Sequence, residues 1–188
     1  MIMNAGLTFP GLNHSPFFAF PMETLLFGLL VAQGVMGGFD TLVNHDLIEH
    51  LTKRPSARTE VGLHALRELL YAMLFAGLGW FAWHGAMAAI VAALLLAELL
   101  VSTADEFVEN RTRVLPQNER VLHAFLTLNL GFIMAASGLV LLEWMPQPSG
   151  IVARYAGLWT WSLSAFAAAA LIWAVRDFLA WRRLHGRD

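Results

Sequence analysis

The sequence predicts an all-α integral membrane protein with five transmembrane helices, from its composition, its apolar windows and its charge distribution. Of its 188 residues, 57% are hydrophobic and 14% are charged, whereas soluble domains carry about 25% charged residues. The mean hydropathy is +0.58. A spanning helix needs about 20 mostly apolar residues, and five such windows follow one another along the chain. We therefore expect residues 1–188 to form a single transmembrane helical domain.

The five windows are separated by a turn and by polar loops. All seven prolines lie near the start of the chain or in the loops, as expected because proline removes a hydrogen bond from a helix interior. A tight turn is expected at His84-Gly85, since one helix through the second and third windows would be about 57 Å long in a hydrocarbon core of about 30 Å. The predicted approximate spans are 17–42, 66–83, 86–103, 121–144 and 155–181.

The basic residues are divided unequally between the two predicted sides of the membrane. Eleven of the twelve Lys and Arg residues fall in the connections or helix ends of one side, and Arg154 falls on the other. Because cytoplasmic loops carry the excess of Lys and Arg, we expect the amino terminus outside and the carboxyl terminus in the cytoplasm. The expected location is the bacterial cytoplasmic membrane.

Two further features of the composition exclude classes of function. The chain has no cysteine, which excludes disulfides, iron–sulfur clusters, thiolate metal ligands and cysteine nucleophiles. Its formal net charge is -2 and it has no basic tract, so no nucleic-acid partner is expected. The partner that the composition predicts directly is the lipid bilayer.

Acids and histidines are concentrated at one depth, the cytoplasmic end of the first four predicted helices. Ionisable groups are costly inside a membrane and by default indicate a functional site. The candidate metal ligands are Asp40, His45 and Glu49 on the first helix, His64 and Glu68 on the second, Glu98, Asp105 and Glu109 on the third, and His123 on the fourth. Five neighbouring polar residues are expected to belong to loops or the interface instead: Asp46, His50, Glu60, Glu106 and Glu119.

Helical spacing places most of these candidates on common faces, with one exception. Residues four apart on a helix differ by about 40° in direction and residues seven apart by about 20°, so the three acids of the third helix form one stripe. Asp40 and His45 differ by about 140°. Both can face the bundle interior only if they flank its inward face or if the helix is distorted near Gly37-Gly38.

Two of the candidate acids also have a simpler interpretation. Glu49 stands four residues before Lys53, and Glu109 stands four residues before Arg113. This is the spacing of ordinary solvated ion pairs, each of which stabilises a helix by a few tenths of a kcal/mol. For these two acids the sequence leaves both interpretations open.

The donor types select a class of metal. Imidazole and carboxylate donors without thiolates suit iron, manganese or zinc, and helical bundles build such sites by projecting Glu and His from several helices. We expect two divalent metal ions, with iron favoured and zinc or manganese as alternatives, although the Glu-x-x-His motif of soluble di-iron proteins is missing at these positions. Haem is disfavoured, because the surrounding acids suit a hard cation better than a macrocycle.

These features predict a membrane metalloprotein, most specifically a non-haem di-iron oxidoreductase. Its expected substrate is lipid-like or otherwise apolar and reaches the site through the bilayer, and its expected reductant is a cytoplasmic electron donor. The alternatives are a zinc-dependent membrane hydrolase and a transporter or sensor for divalent metals or protons, with Glu98 and Asp40 as relay groups. A purely structural module would explain the bundle but not the clustered acids.

Overall fold

The protein is built from five long helices, as a computed structural model that describes residues 22–185 shows. Each helix is long and apolar enough to cross a membrane, which confirms the prediction of an all-helical fold with five candidate membrane spans. Residues 17–21 of the first predicted span lie outside the described residues. The helices are α1 (Met22–Phe39), α2 (Arg58–Trp80), α3 (Ala88–Thr112), α4 (Gln117–Trp144) and α5 (Leu158–His185).

The helices extend further at the polar ends than their apolar windows predict. The second helix begins at Arg58 rather than near residue 66, and the third ends at Thr112 rather than near residue 103. The α2 extension contains the buried Glu60 and His64, and the α3 extension contains the buried Asp105 and Glu109. Because these side chains are paired with one another instead of with water, their charge does not mark the end of a helix.

A π-helical segment, Asp40–Ile48, continues α1 without a break. In a π-helix the backbone hydrogen bonds join residues five apart, so Asp40 and His45 come to lie on one face. This is the distortion that the 140° separation required, and it begins two residues after Gly38. The segment is followed by His50, which has a left-handed conformation with φ of 50° and turns the chain toward α2.

Two short strands close the opposite end of the bundle, where the sequence predicts only a turn. Strand β1 (Phe81–His84) follows α2 and pairs antiparallel with β2 (Gly150–Ala153), which precedes α5. The connections between α2 and α3 and between α4 and α5 therefore meet at one end, which we call the strand end. The α1–α2 and α3–α4 connections lie at the other end, which we call the polar end.

Arg154 is held at the strand end by the backbone of α2. Its backbone N–H donates to the carbonyl of Trp80 at 2.8 Å, and its Nη2 donates to the carbonyl of Leu78 at 2.8 Å. Its Nη1 lies 2.6 Å from Oε2 of Glu23 at the start of α1. The other basic residues within 22–185 lie in the polar-end connections or in the polar-end halves of their helices, so the predicted charge asymmetry is present in the fold.

The apolar core fills the strand-end half of the bundle. Its buried side chains include Leu30 of α1, Leu74 of α2, Ile133 of α4 and Leu163 of α5. Many large apolar side chains point outward instead, such as Leu100, which is 62% exposed. Such an outward face is what lipid contact requires, because a soluble protein rarely exposes large continuous apolar patches.

The turn at Gly85 gives a test of the strand end. Gly85 has φ of +56°, and a Cβ there would lie 2.7 Å from Cα of Ser149 and 2.8 Å from the carbonyl oxygen of Gln147. We expect Gly85→Ala to lower the unfolding free energy by at least about 1–2 kcal/mol, the usual cost of a left-handed side-chain residue. The matched control is Gly150→Ala, whose Cβ would meet nothing within 4 Å in the described part of the chain. Equal thermal stability of the two variants in detergent would contradict this account.

Candidate metal centre

Six buried carboxylates on the first four helices dominate the polar end. Burying a charge without a partner costs several kcal/mol or more, so each of them needs a neutralising group. Among the described residues, ion pairs join this set to two arginines, Arg67 and Arg113, which leaves four formal negative charges if every acid is ionised. Protons or bound cations must supply the remainder. The six acids are Asp40, Glu60, Glu98, Asp105, Glu109 and Glu119.

Four residues form a group that can hold a metal ion: Asp40, His45, Glu119 and His123. One ligand atom from each lies within 4.8 Å of the others. Nε2 of His45 is 3.4 Å from Oδ2 of Asp40 and 3.6 Å from Oε1 of Glu119. Neither contact is a hydrogen bond, and a metal ion between the atoms would bring three donors to one centre.

His45 is the least satisfied polar side chain in this group. It is 2% exposed, and neither of its ring nitrogens has a hydrogen-bond partner among residues 22–185. A buried polar atom without a partner costs about 1–3 kcal/mol. The imidazole is therefore placed as a metal ligand would be, with its donor atom directed toward two carboxylates.

His123 presents its two ring nitrogens to different acids. Its Nε2 is 3.0 Å from Oδ2 of Asp40, and its Nδ1 is 3.1 Å from Oε2 of Glu109 and 3.6 Å from Oε2 of Glu106. Glu106, Glu109 and His123 form a second group that can hold a metal ion. With a single metal on Nε2, Glu109 would instead orient the ring by accepting from Nδ1, a common arrangement around histidine ligands.

The π-helical segment positions its donors through a second polar residue, Asn44. Its Nδ2 donates to Oδ1 of Asp40 at 2.7 Å, which leaves Oδ2 of Asp40 directed toward His45 and His123. Nδ2 of Asn118, at the start of α4, donates to Oδ1 of Asn44 at 3.3 Å. The widened turns thus fix the orientation of the Asp40 carboxylate relative to both imidazoles.

His64 and Asp105 lie beside the four-residue group and pair with each other. Nε2 of His64 is 3.0 Å from Oδ2 of Asp105, and Nη1 of Arg67 donates to the same oxygen at 2.8 Å. The His64 ring stacks on the His45 ring, with centroids 4.3 Å apart and planes 8° apart. Both residues were expected as ligands; the structure places His64 in contact with His45 and Asp105 in contact with His64, and neither belongs to the two metal-capable groups of the described residues.

Arg113 joins three of the buried acids. Its Nη2 is 3.1 Å from Oε1 of Glu60 and 2.5 Å from Oε1 of Glu119, and it also forms an ion pair with Glu109. Burial opposes the charged form of Arg113, but the hydrogen bond to Glu119 and the charges of Glu109 and Glu60 outweigh it, so the pKa of the guanidinium is raised. The pair with Glu109 therefore exists, but it is buried rather than solvated.

The expectation that Glu60 and Glu119 belong to exposed loops or the interface is wrong. Both are buried, at 1% and 0% exposed, because Arg113 neutralises them where the α1–α2 and α3–α4 connections meet. The signal in the sequence was Arg113 itself, which stands between acids four residues before and six residues after it. A basic residue so placed can pair with both acids across a tight connection.

Three further candidates lie outside both metal-capable groups. Glu98 is buried in α3 and accepts a hydrogen bond from Ser102 at 2.8 Å. Oε2 of Glu68 is buried and has no hydrogen-bond partner among the described residues. Glu49 forms an ion pair at 2.5 Å with the half-exposed Arg54 rather than with Lys53. The Glu49 side chain therefore lies at the edge of the bundle.

Replacing Arg113 tests the electrostatic arrangement. Arg113→Met keeps the bulk of the side chain but leaves three buried acids without their cation, and breaking a buried pair costs about 3–5 kcal/mol. Arg111→Met is the matched control, because Arg111 is exposed and lies over the Phe107 ring, where such contacts contribute about 0.5–1 kcal/mol. Equilibrium unfolding in mixed micelles should separate the two variants. Equal losses would show that Arg113 is no more than a surface charge.

Comparisons with known proteins do not constrain the function. No protein-family model matches the chain, and neither curated proteins nor solved structures gave a match. The function is therefore argued from the geometry of the polar end.

Proposed function

We propose that this protein is a membrane metalloprotein, and specifically a non-haem two-metal oxidoreductase that acts on a lipid-like substrate. The observation that carries the proposal is the buried His45 imidazole, which lacks hydrogen-bond partners among residues 22–185 and faces the carboxylates of Asp40 and Glu119. The group lies in a bundle whose five helices can each cross a membrane. An acidic cluster alone would not single out a ligand site, whereas an unpartnered imidazole within it does.

The first metal would be held by Asp40, His45, Glu119 and His123, and the second by Glu106, Glu109 and His123. His123 would serve both, through Nε2 and Nδ1 respectively. Carboxylate and imidazole donors suit iron, manganese and zinc, and we favour iron because the proposed reaction is a redox reaction.

Within residues 22–185 the buried acids and histidines do not continue to the strand end, which supports an enclosed site rather than a transport path. A buried chain of hydrogen bonds leads from Tyr71 to Gln33 and Asn129, at 2.8 and 2.7 Å. Beyond it, the described core consists mainly of apolar side chains, including Leu30 and Ile133. A transporter would need polar or charged groups across the whole membrane.

The protein's own residues would supply the site and its surroundings, while the metals would supply redox chemistry. The apolar core excludes water from the strand-end side of the site. Glu106, whose side chain is 50% exposed, lies between the buried donors and the surface at the polar end, where a cytoplasmic electron donor could dock. Substrate would arrive through lipid.

Elemental analysis of the purified protein, reconstituted with ferrous iron, tests the metal proposal. We expect about two irons per chain and no Soret band in the absorption spectrum. His123→Ala should lose both metals because the ring is shared, and His45→Ala should lose one. His84→Ala is the matched control, since His84 lies in β1 at the strand end and its replacement should leave the metal content unchanged.

The outcomes of this experiment separate the alternatives. Zinc bound in preference to iron would replace the oxidoreductase by the hydrolase, in which a metal-bound water is the nucleophile. A Soret band would make the histidines haem ligands. Wild-type protein without metal after reconstitution, or His123→Ala with full metal content, would remove the proposed centre.

The orientation in the membrane can be tested with single cysteines, because the chain contains none. We propose that the polar end faces the cytoplasm, as the excess of basic residues there indicates. Val114→Cys lies in the α3–α4 connection at the polar end, and Gln147→Cys lies in the connection at the strand end; both positions are exposed. A membrane-impermeant maleimide should label Gln147→Cys in intact bacterial cells and Val114→Cys only after permeabilisation. The reverse pattern would invert the orientation.

A further inference from the structure

A cavity of about 550 Å³ lies beside the proposed metal centre. All five helices contribute to its walls, and Glu109 and His123 border one end of it. Toward the middle of the bundle its walls include Phe75, Leu130 and Phe166. From the level of Glu109 it extends about 10–15 Å along the helix axes, at 1.5 Å per residue, and its volume is typical of a site for a small molecule.

Glycines of α1 leave room for this cavity. Gly37 and Gly38 both line it, and a Cβ built at either position would meet nothing within 4 Å in the part of the chain that the structure describes. At Gly34, by contrast, a Cβ would lie 2.6 Å from the Phe166 ring, so α5 packs there against the α1 backbone. The helix thus combines a close contact on one turn with open space on the next.

Two residues that line the cavity, Trp173 and Glu68, each carry a buried polar atom that lacks a partner. Nε1 of Trp173 and Oε2 of Glu68 are buried, and neither has a hydrogen-bond partner among residues 22–185. The indole N–H is a donor only, and the carboxylate oxygen is an acceptor. A hydroxyl group can accept from the first and donate to the second. The cavity therefore combines apolar walls with the two hydrogen-bonding functions that a hydroxyl needs.

We propose that the cavity binds a single-chain amphiphile with a hydroxyl head, which lies toward Glu68 and Trp173 while the apolar chain extends toward Phe75 and Phe166. This places the head, rather than the middle of the chain, nearest to His123 and Glu109. That the ligand is the substrate rests on the proposed function. Its binding in the cavity does not.

Photo-cross-linking of the full chain in nanodiscs tests this inference. The probe is a twelve-carbon primary alcohol with a diazirine in its chain, and labelled residues are mapped by mass spectrometry. Wild-type protein should be labelled on the cavity walls, with competition by 1-dodecanol. Gly37→Leu should reduce this labelling at least tenfold because its side chain fills the open space. Gly28→Leu is the matched control: Gly28 is also in α1, its Cβ would meet nothing within 4 Å among the described residues, and it does not line the cavity.

A second variant tests the hydroxyl head. Trp173→Phe removes the indole N–H and should lower labelling by the alcohol probe about five- to tenfold, since a hydrogen bond contributes about 1 kcal/mol or slightly more. Labelling by the matching alkane probe, which has no hydroxyl, should be weak in wild type and unchanged by Trp173→Phe. Equal labelling by the two probes in wild type would overturn the choice of head group.

The metal content of the same samples separates this inference from the proposed function. If Gly37→Leu is labelled like wild type while metal remains bound, the cavity assignment is wrong and the metal centre stands. If the wild type binds no metal but is labelled on the cavity walls in a manner sensitive to Gly37→Leu, the metal proposal is wrong and the ligand site stands. A melting curve confirms that each variant is folded.

Discussion

The arrangement of the polar end follows from the cost of burying carboxylates in an apolar bundle. Arg113 meets three of them at the place where two connections converge, and Arg67 meets Asp105 from within α2. The carboxylate of Asp40 instead faces two imidazoles. Two of the acids that Arg113 meets, Glu109 and Glu119, also face the imidazoles of His123 and His45. The metal-capable groups therefore share acids with the Arg113 ion pairs.

The sequence predicted the all-helical class, the five candidate spans, the charge asymmetry and the gathering of the acids at one end of the bundle, because hydropathy and helical spacing depend on local residues. It failed where the outcome depends on contacts between distant segments. Glu60 and Glu119 looked solvated because each stands near a predicted helix end, and their burial requires Arg113 to reach both. Strand β1 was missed because its four residues continue an apolar window, and its pairing depends on β2, about 70 residues away along the chain. The π-helical segment was foreseen only as a geometric requirement.

Helix α1 and its continuation provide both halves of the proposed site. The glycines that precede Asp40 leave the cavity open, and the π-helical turns that follow direct Asp40 and His45 to one face. A regular α-helix would separate those two donors by about 140°. The change from α-helix to π-helix thus lies between the glycines that line the cavity and the donor residues Asp40 and His45. Short π-helical insertions are often found at functional sites.

The two-sided environment of His123 has a consequence for how the centre would be assembled. Neutral imidazole carries one proton, so a first cation on Nε2 leaves Nδ1 protonated and directed toward Glu109. A second cation on Nδ1 must displace that proton, and metal binding then releases it to solvent. The two metals would therefore bind in sequence, and binding of the first would oppose binding of the second. The group of Asp40, His45, Glu119 and His123 would fill first, and occupancy of the second group would rise with pH. Because both metals would share the His123 ring, the number of metal ions bound per chain would depend on pH.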